Sequence, residues 1–526
     1  AGASPPRPRL RVLPPELTEG AEDEGRAPVE RFVAEEYIAD TLWAFEERAM
    51  ASARVHLAAE QLASLPLPFK HLHLLAETLF AHLLALPAPT FKPVYYTRVM
   101  NDICKVARPF APAMALTVGS LFRKSHRLDP ECRDRLSSFL AHHLSVWSLN
   151  WPWPKWAHVA EQPAWHPQRL FVEETVEHLL RLSYHKAVSD SLPEVLRPLL
   201  PPGKQGSFPY EGECVAEPEK AAFSAELVSR IRQLKQTSAE ILPWIEETVA
   251  PAVGSTGALE VVALTLLHVS AKSITHLNTA LGRFAQLFHV TKAAADGGGL
   301  ALVRMAASYW ASHRQGLVVA VDRLMASGLV DTGDVMAWVF SEHAAAEYVR
   351  GTGAWEVLHV ATQRAALDAA GKERELAAAQ TARAEAVREA TSAAERVQVA
   401  AEAGEGPEGG GGDVDLQRLA KLEEAASEAL TVAERVLEEK AAVARDAVRR
   451  REEVLCEALD GFVAASEGAL AAATSGAEAE AAAAHAVLAR FRAFARQHAA
   501  EVGGALPRYR AKQEELAARL PPRPAS

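Results

Sequence analysis

Between about Ala361 and Arg451 the aromatic residues vanish and the chain collapses to Ala, Glu, Arg, Gln and Val. A Gly-rich break, Gly404-Glu-Gly-Pro-Glu-Gly-Gly-Gly-Gly412, interrupts this stretch near its middle. Two long solvated helices folded back at the glycines satisfy both features. Arms of ~40 residues would each reach about 60 Å at ~1.5 Å per residue. In the second arm a 3-4 repeat can be traced through Leu419, Leu422, Ala426, Ala429, Ala433 and Val436, and Lys440 falls on the same seam. So much alanine buries little area, so the arms are expected to stabilise each other only modestly. Enzymes seldom need such an arm, whereas scaffolds that hold other proteins often have one.

On either side of the hairpin the pattern is helical and compact. The face Ile38, Leu42, Phe45, Ala49 starts a helix at about Val29, and Leu72, Leu75, Leu79, Leu83, Leu86 mark another that Pro87 and Pro89 stop. Further helices are read at Val94–Ala107, Pro112–Lys124, Pro130–Trp147, Pro167–Tyr184 and Ser189–Leu199. Beyond the Pro/Gly-rich residues 201–218 a second block begins. Its strongest helix carries Leu259, Val262, Leu266 and Val269, then Leu277, Leu281, Phe284 and Phe288. Gly297-Gly298-Gly299 breaks the chain again before helices at Leu300–Ser312, Gly316–Ser327 and Gly333–Tyr348, the last with Asp331 and Thr332 as N-cap candidates. Larger apolar residues return at Leu455, Leu459, Phe462, Leu488, Phe491 and Phe494, which are expected to rejoin the second block. No alternating strand pattern is present. The expected fold is all-α: antiparallel helix pairs stacked into a HEAT-like solenoid, with an inserted coiled-coil hairpin. The expected divisions are a linker over 1–27, a repeat domain over 28–200, a linker over 201–218, and a second repeat domain over 219–520. The hairpin occupies about 362–453 and a disordered tail 521–526.

The 526 residues are 49% apolar and carry a formal net charge of −11. That balance argues against an extended basic surface that clamps nucleic acid unaided, though not against RNA bound through a partner. The four cysteines, Cys104, Cys132, Cys214 and Cys456, lie far apart with no CxxC, as reduced thiols of a nuclear or cytosolic protein would. No apolar run reaches the ~18 residues of a membrane span, so no membrane partner is expected. The Pro-rich start, Ala1-Gly-Ala-Ser-Pro-Pro-Arg-Pro, has no signal-peptide core and no initiator Met, so the chain reads as a fragment of a longer one.

Catalytic patterns are absent. His71 and His73 at i, i+2 and His142 and His143 at i, i+1 point to different helix faces and have no Cys or carboxylate at ligand spacing. Asp296-Gly-Gly-Gly299 lacks the Lys-Ser/Thr and the strand of a phosphate loop, and Gly351-Thr-Gly353 lacks the third glycine of a dinucleotide fingerprint. No catalytic residue, metal or cofactor is expected. Trp147, Trp151, Trp153, Trp156 and Trp165 cluster unusually. They could stack a base or a cap; the favoured reading is a turn whose indoles plug a gap between helix pairs. Arg449-Arg450-Arg451 runs into Glu452-Glu453, as on a solvated helix face. The short basic turn with Arg123, Lys124 and Arg127 is the weak candidate for a partner or phosphate contact.

Ordered blocks of sequence then resemble the large subunit of the eukaryotic nuclear cap-binding complex. They include Glu30-Arg-Phe-Val-Ala-Glu-Glu36, Leu84-Ala-Leu-Pro-Ala-Pro89, Phe139-Leu-Ala-His-His-Leu-Ser145 and the Trp151, Trp153, Trp156 pattern. They continue in Thr265-Leu-Leu-His268, Ala280-Leu-Gly-Arg-Phe284, Val321-Asp-Arg-Leu-Met325 and Trp355-Glu-Val-Leu-His359. Pro152 and Pro154 depart from the family's residues, and the match is poor after Cys456. The resemblance implies three repeat domains like the middle domain of initiation factor 4G, of which this chain carries the second, the third and the hairpin. The first domain, with the nuclear-localisation signal ahead of it, is expected to be missing.

The implied role is not enzymatic. The resemblance implies a scaffold that docks a small RNA-recognition-motif subunit and orders its flexible ends. That subunit then binds the 7-methylguanosine cap. It also implies recruitment of factors for splicing, export, small-RNA processing and nonsense-mediated decay, and a nuclear protein that shuttles to the cytoplasm. Two other readings are a translation-initiation scaffold that binds a DEAD-box helicase and a helical enzyme. The acidic balance and the hairpin disfavour the first, and the absent motifs disfavour the second.

Overall fold

The structure, a computed structural model, describes residues 10–18, 27–46, 52–65, 71–203, 206–211, 216–341, 353–403 and 412–524. Every element among them is a helix or a short helical turn, with no strand. Two compact units separate: residues 1–357 with 459–526, and residues 358–458.

In the first unit, proline starts the helices Pro93–Val106, Pro130–Val146 and Pro167–Leu182. Its fixed φ suits the first helical turn, where its missing N–H costs nothing. Asp129 caps Pro130–Val146 by accepting from Glu131 N at 3.1 Å. Each helix packs chiefly on a near neighbour in the stack: Ser52–Ala63 on Pro93–Val106, His71–Leu83 on Phe110–Arg123, and Pro130–Val146 on Pro167–Leu182. Phe80, Tyr96, Phe110, Phe139 and Phe171 close one continuous core between them.

The second block is built around Ala250–Ser270, which touches Pro218–Arg232, Ala285–Ala294 and Gly298–Tyr309. Val261 to Leu267 are buried without a break. A helix apolar all round is a central helix, because no face of it prefers water. Ser238–Ser270 is the one segment among the described residues long and apolar enough to cross a membrane. Pro243, a π-helical turn at Ile245–Val249 and Gly254 at φ 77° interrupt it, and the core covers its second half. Only glycine adopts that φ without strain.

Phe462, Phe491 and Phe494 do rejoin the second block, around Phe340 and Trp355. Phe462 stacks on Phe491 at 5.9 Å and meets Phe340 edge-on at 5.0 Å. Gly461 makes this possible, since a Cβ there would overlap the Phe340 ring. The helix Glu478–Gln497 also packs on Pro130–Val146 of the first block, which periodicity did not foretell.

Several boundaries differ from the sequence reading. Leu86 lies past the end of His71–Leu83 and is 40% exposed. The helix read at Ser189–Leu199 is His185–Ser191 and a 3-10 turn Glu194–Leu199, parted at Leu192 and Pro193. Leu277 to Phe288 form two helices, Ile274–Arg283 and Ala285–Ala294, parted at Phe284. Ser52–Ala63 was not anticipated at all. Thr332–Val339 starts at its Asp331 cap and ends before Phe340 and Ser341, while the rest of the expected helix, 342–348, lies outside the described residues, as do Ala49, Cys214 and the turn at 404–411.

The segments read as linkers and tail hold specific contacts. Leu13 is buried and its N–H donates to Glu77 Oε1 at 2.9 Å. Phe208 stacks on His268 at 4.0 Å, and the Tyr210 hydroxyl donates to Glu260 at 3.2 Å. Pro521 O accepts a hydrogen bond from His485 Nε2 at 2.9 Å.

The hairpin unit consists of the greater part of Gly353–Ala403, which has 51 residues, and of Gly412–Ala472, which has 61. Its best-buried side chains include Ala369, Ala379, Ala444 and Ala447. In the second arm the inward positions are Leu419, Glu423, Ala426, Leu430, Ala433, Leu437 and Lys440. Leu422, Ala429 and Val436 face solvent instead. Both traces keep 3-4 spacing, and the one that takes in Leu430 and Leu437 covers more apolar area. Lys440 on the seam is matched by Glu375 of the first arm at 2.7 Å, and Arg383 pairs with Glu434 at 3.1 Å.

Candidate interaction surface

The tryptophan turn follows from how Pro130–Val146 ends. Ser148 and Leu149 take positive φ, 55° and 60°, which stops the helix and turns the chain toward Trp151. Trp147 Nε1 donates to Asn101 Oδ1 at 3.0 Å, and His143 Nδ1 lies 2.7 Å from the same oxygen. An oxygen that accepts from an indole can only accept from the imidazole too, so Nδ1 carries the His143 proton. Burial pushes the His143 pKa down to about 4, which keeps the ring neutral.

Trp153–Glu161 is a 3-10 helix with Trp153 and Trp156 buried. Trp156 stacks on Phe122 at 4.2 Å and meets Phe171 edge-on at 5.9 Å. A base platform needs an open ring face. Trp156 has spent its face on Phe122, and Trp153 has no exposed face to offer. Trp151 is half-buried and borders a groove of ≈ 570 Å³ with Pro152, Lys155, Leu116 and Arg123.

The basic turn does not act as one cluster. Arg123 is exposed, donates to Ser120 Oγ at 2.8 Å and lines the Trp151 groove. Lys124 closes the helix Phe110–Arg123, its N–H bonded to Leu121 O at 3.0 Å. Arg127 ends the 3-10 turn Ser125–Arg127, which borders a different groove. His71 Nε2 sits 3.2 Å from Ala63 O, and His142 Nδ1 sits 2.9 Å from Ser138 O. Among the described residues no group of three His, Cys, Asp or Glu could hold a metal ion. Burial pushes the Cys104 and Cys132 thiols up to about 12, so neither is a nucleophile at neutral pH.

Sequence patterns missed a set of buried and part-buried ion pairs. Arg133 donates to Glu174 through Nη2 and Nε, at 2.8 and 3.0 Å. Arg490, from the helix Glu478–Gln497, reaches Asp134 at 2.7 Å. Burial alone would raise the Asp134 pKa, but the Arg490 guanidinium, together with the charge of Arg133, outweighs it and holds the carboxyl below its ordinary range. Glu177 takes Arg314 of the second block at 2.6 Å, while Arg181 takes Glu356 at 2.7 Å. These partners lie from 41 to 356 residues apart in sequence, so no local spacing could have announced them.

The family described as MIF4G like matches residues 29–194, and a second form of it matches residues 216–502. Nuclear cap-binding protein subunit 1 of Oryza sativa subsp. japonica is 36% identical over 361 residues, covering 68% of this chain and 40% of the relative. The protein of that name in Arabidopsis thaliana is 37% identical over 355 residues, covering 66% and 40%. The Homo sapiens protein is 30% identical over 366 residues, covering 65% and 44%. The chain thus spans about two fifths of the length of these curated relatives. Two stacked helical blocks, each under its own match, place this chain in the MIF4G-like family.

Proposed function

We propose that this chain is the non-catalytic scaffold part of a nuclear cap-binding complex. It docks a small RNA-recognition-motif subunit and orders that subunit's flexible ends, so that the subunit binds the 7-methylguanosine cap. The observation that carries the reading is the 36% identity over 361 residues to nuclear cap-binding protein subunit 1. Three features of the chain support it. The net charge of −11 suits a holder of the RNA reader better than a reader. The two buried indoles of the tryptophan turn, Trp153 and Trp156, are engaged within the core. The long hairpin suits a protein that meets several partners. On this reading the division at residues 201–218 separates two repeat domains, the protein works in the nucleus and moves to the cytoplasm, and it recruits splicing, export, small-RNA and decay factors. Arg123, beside the Trp151 groove, is the basic-turn residue proposed to meet a partner, and Lys124 and Arg127 are secondary.

Size-exclusion chromatography of the chain mixed with a small cap-binding subunit tests the docking step. Co-elution as a one-to-one complex is expected. Separate elution over a range of concentrations would contradict it.

A further inference from the structure

The second groove, beside the turn Ser125–Arg127, lies between the two blocks of the first unit. Its cavity is ≈ 280 Å³. Trp165, Pro130 and Pro167 form one side, and Ala482, Ala486 and Ala489, one strip of the helix Glu478–Gln497, form the other. Two arginines that line it, Arg133 and Arg490, are neutralised by Glu174 and Asp134. The groove is therefore apolar, aromatic-edged and nearly free of net charge.

The chain shows what kind of ligand the groove suits. Residues Pro521-Pro522-Arg523-Pro524 run along its edge, and Arg523 and Pro524 line it. Proline lacks an N–H, so a proline-rich strand can be held only through its carbonyls and its apolar rings. His485 meets the first need. Its Nε2 lies 2.9 Å from Pro521 O, and a carbonyl only accepts, so the ring donates. The arginine is held as well, since Arg523 Nη1 donates to His126 O at 2.9 Å. Yet the tail leaves the cavity beside it open, and Pro522 and Arg523 remain exposed. An aromatic-edged slot with a donor for a proline carbonyl is the chemistry by which extended proline-rich peptides are recognised.

We infer that this groove binds an arginine-bearing proline-rich peptide of a partner protein, and that residues 521–524 are an internal ligand competing for the same contacts. The inference does not depend on the cap-complex reading. The tail makes one hydrogen bond through Pro521 and one through Arg523, so a longer peptide that also fills the cavity can displace it. A competing internal ligand lowers apparent affinity by the fraction of time it occupies the site.

Fluorescence anisotropy with a labelled Leu-Pro-Pro-Arg-Pro-Ala peptide tests this on the full chain and on full-length Arg523→Ala. The variant is expected to bind the peptide about tenfold more tightly than the parent, because its own tail has lost an anchor. In the Arg523→Ala background, His485→Phe keeps the ring but deletes the donor, and is expected to weaken the peptide with no change in melting temperature. Trp165→Ala should do the same. A peptide with glutamate in place of arginine should bind neither chain. Equal affinity for parent and Arg523→Ala, no binding to either, or indifference to His485→Phe would each overturn the inference.

Discussion

Single residues decide whether the tryptophan turn is a plug or a platform. Trp153 is 2% exposed and packs against Trp156 at 5.9 Å. Trp153→Ala should cost about 3–5 kcal/mol in urea unfolding, as for other buried aromatics. Cap affinity of the folded complex should be unchanged. An unaltered unfolding curve with a selective loss of cap binding would make the turn a ligand site. Arg490 makes a similar demand, with its side chain 1% exposed against Asp134. Arg490→Leu should destabilise by about 3 kcal/mol by taking the closest cation from the partly buried Asp134 carboxylate. Adding Asp134→Asn should recover part of that loss. Glu131 supplies a pH signature. Burial pushes its carboxyl up to about 7, against the pull of Arg135. Its folded pKa lies above its unfolded value, so its protonated form favours folding. That contribution is present in full below about 4.5 and is lost as pH rises through about 7. Glu131→Gln should therefore raise the melting temperature at pH 8 and leave it nearly unchanged at pH 4.

At the scale of elements, the hairpin seam separates two readings of one repeat. Leu437 faces inward and Val436 is 37% exposed. Leu437→Ala should lower hairpin stability by about 1 kcal/mol, the worth of a half-buried leucine, and Val436→Ala should barely register. Hydrogen exchange along the two arms reads the difference, and equal effects would return the seam to Val436. Helix positions were largely legible because proline starts and apolar stripes are local signals, as at Pro130 and Pro167. Ser52–Ala63 escaped because it relies on alanines, Ala58 and Ala59 among them, which carry little periodic contrast. Phe284 continued the apolar spacing across a break that only backbone angles reveal. The candidate basic turn was legible as charge. Its division between two grooves was not, because Trp151 and the helix Glu478–Gln497 reach it from elsewhere in the chain.

For the whole molecule, the central claim is that this chain holds a cap reader and does not itself read. Titration of a fluorescent capped dinucleotide against the chain, against the small RNA-recognition-motif subunit and against their mixture tests it most directly. The chain alone should bind weakly, and the 7-methyl group should add little. The mixture should bind more tightly than the small subunit alone, because a docked subunit no longer carries the full entropic cost of ordering its own termini. Tight, methyl-dependent binding by the chain alone, or no gain in affinity on mixing, would contradict the account.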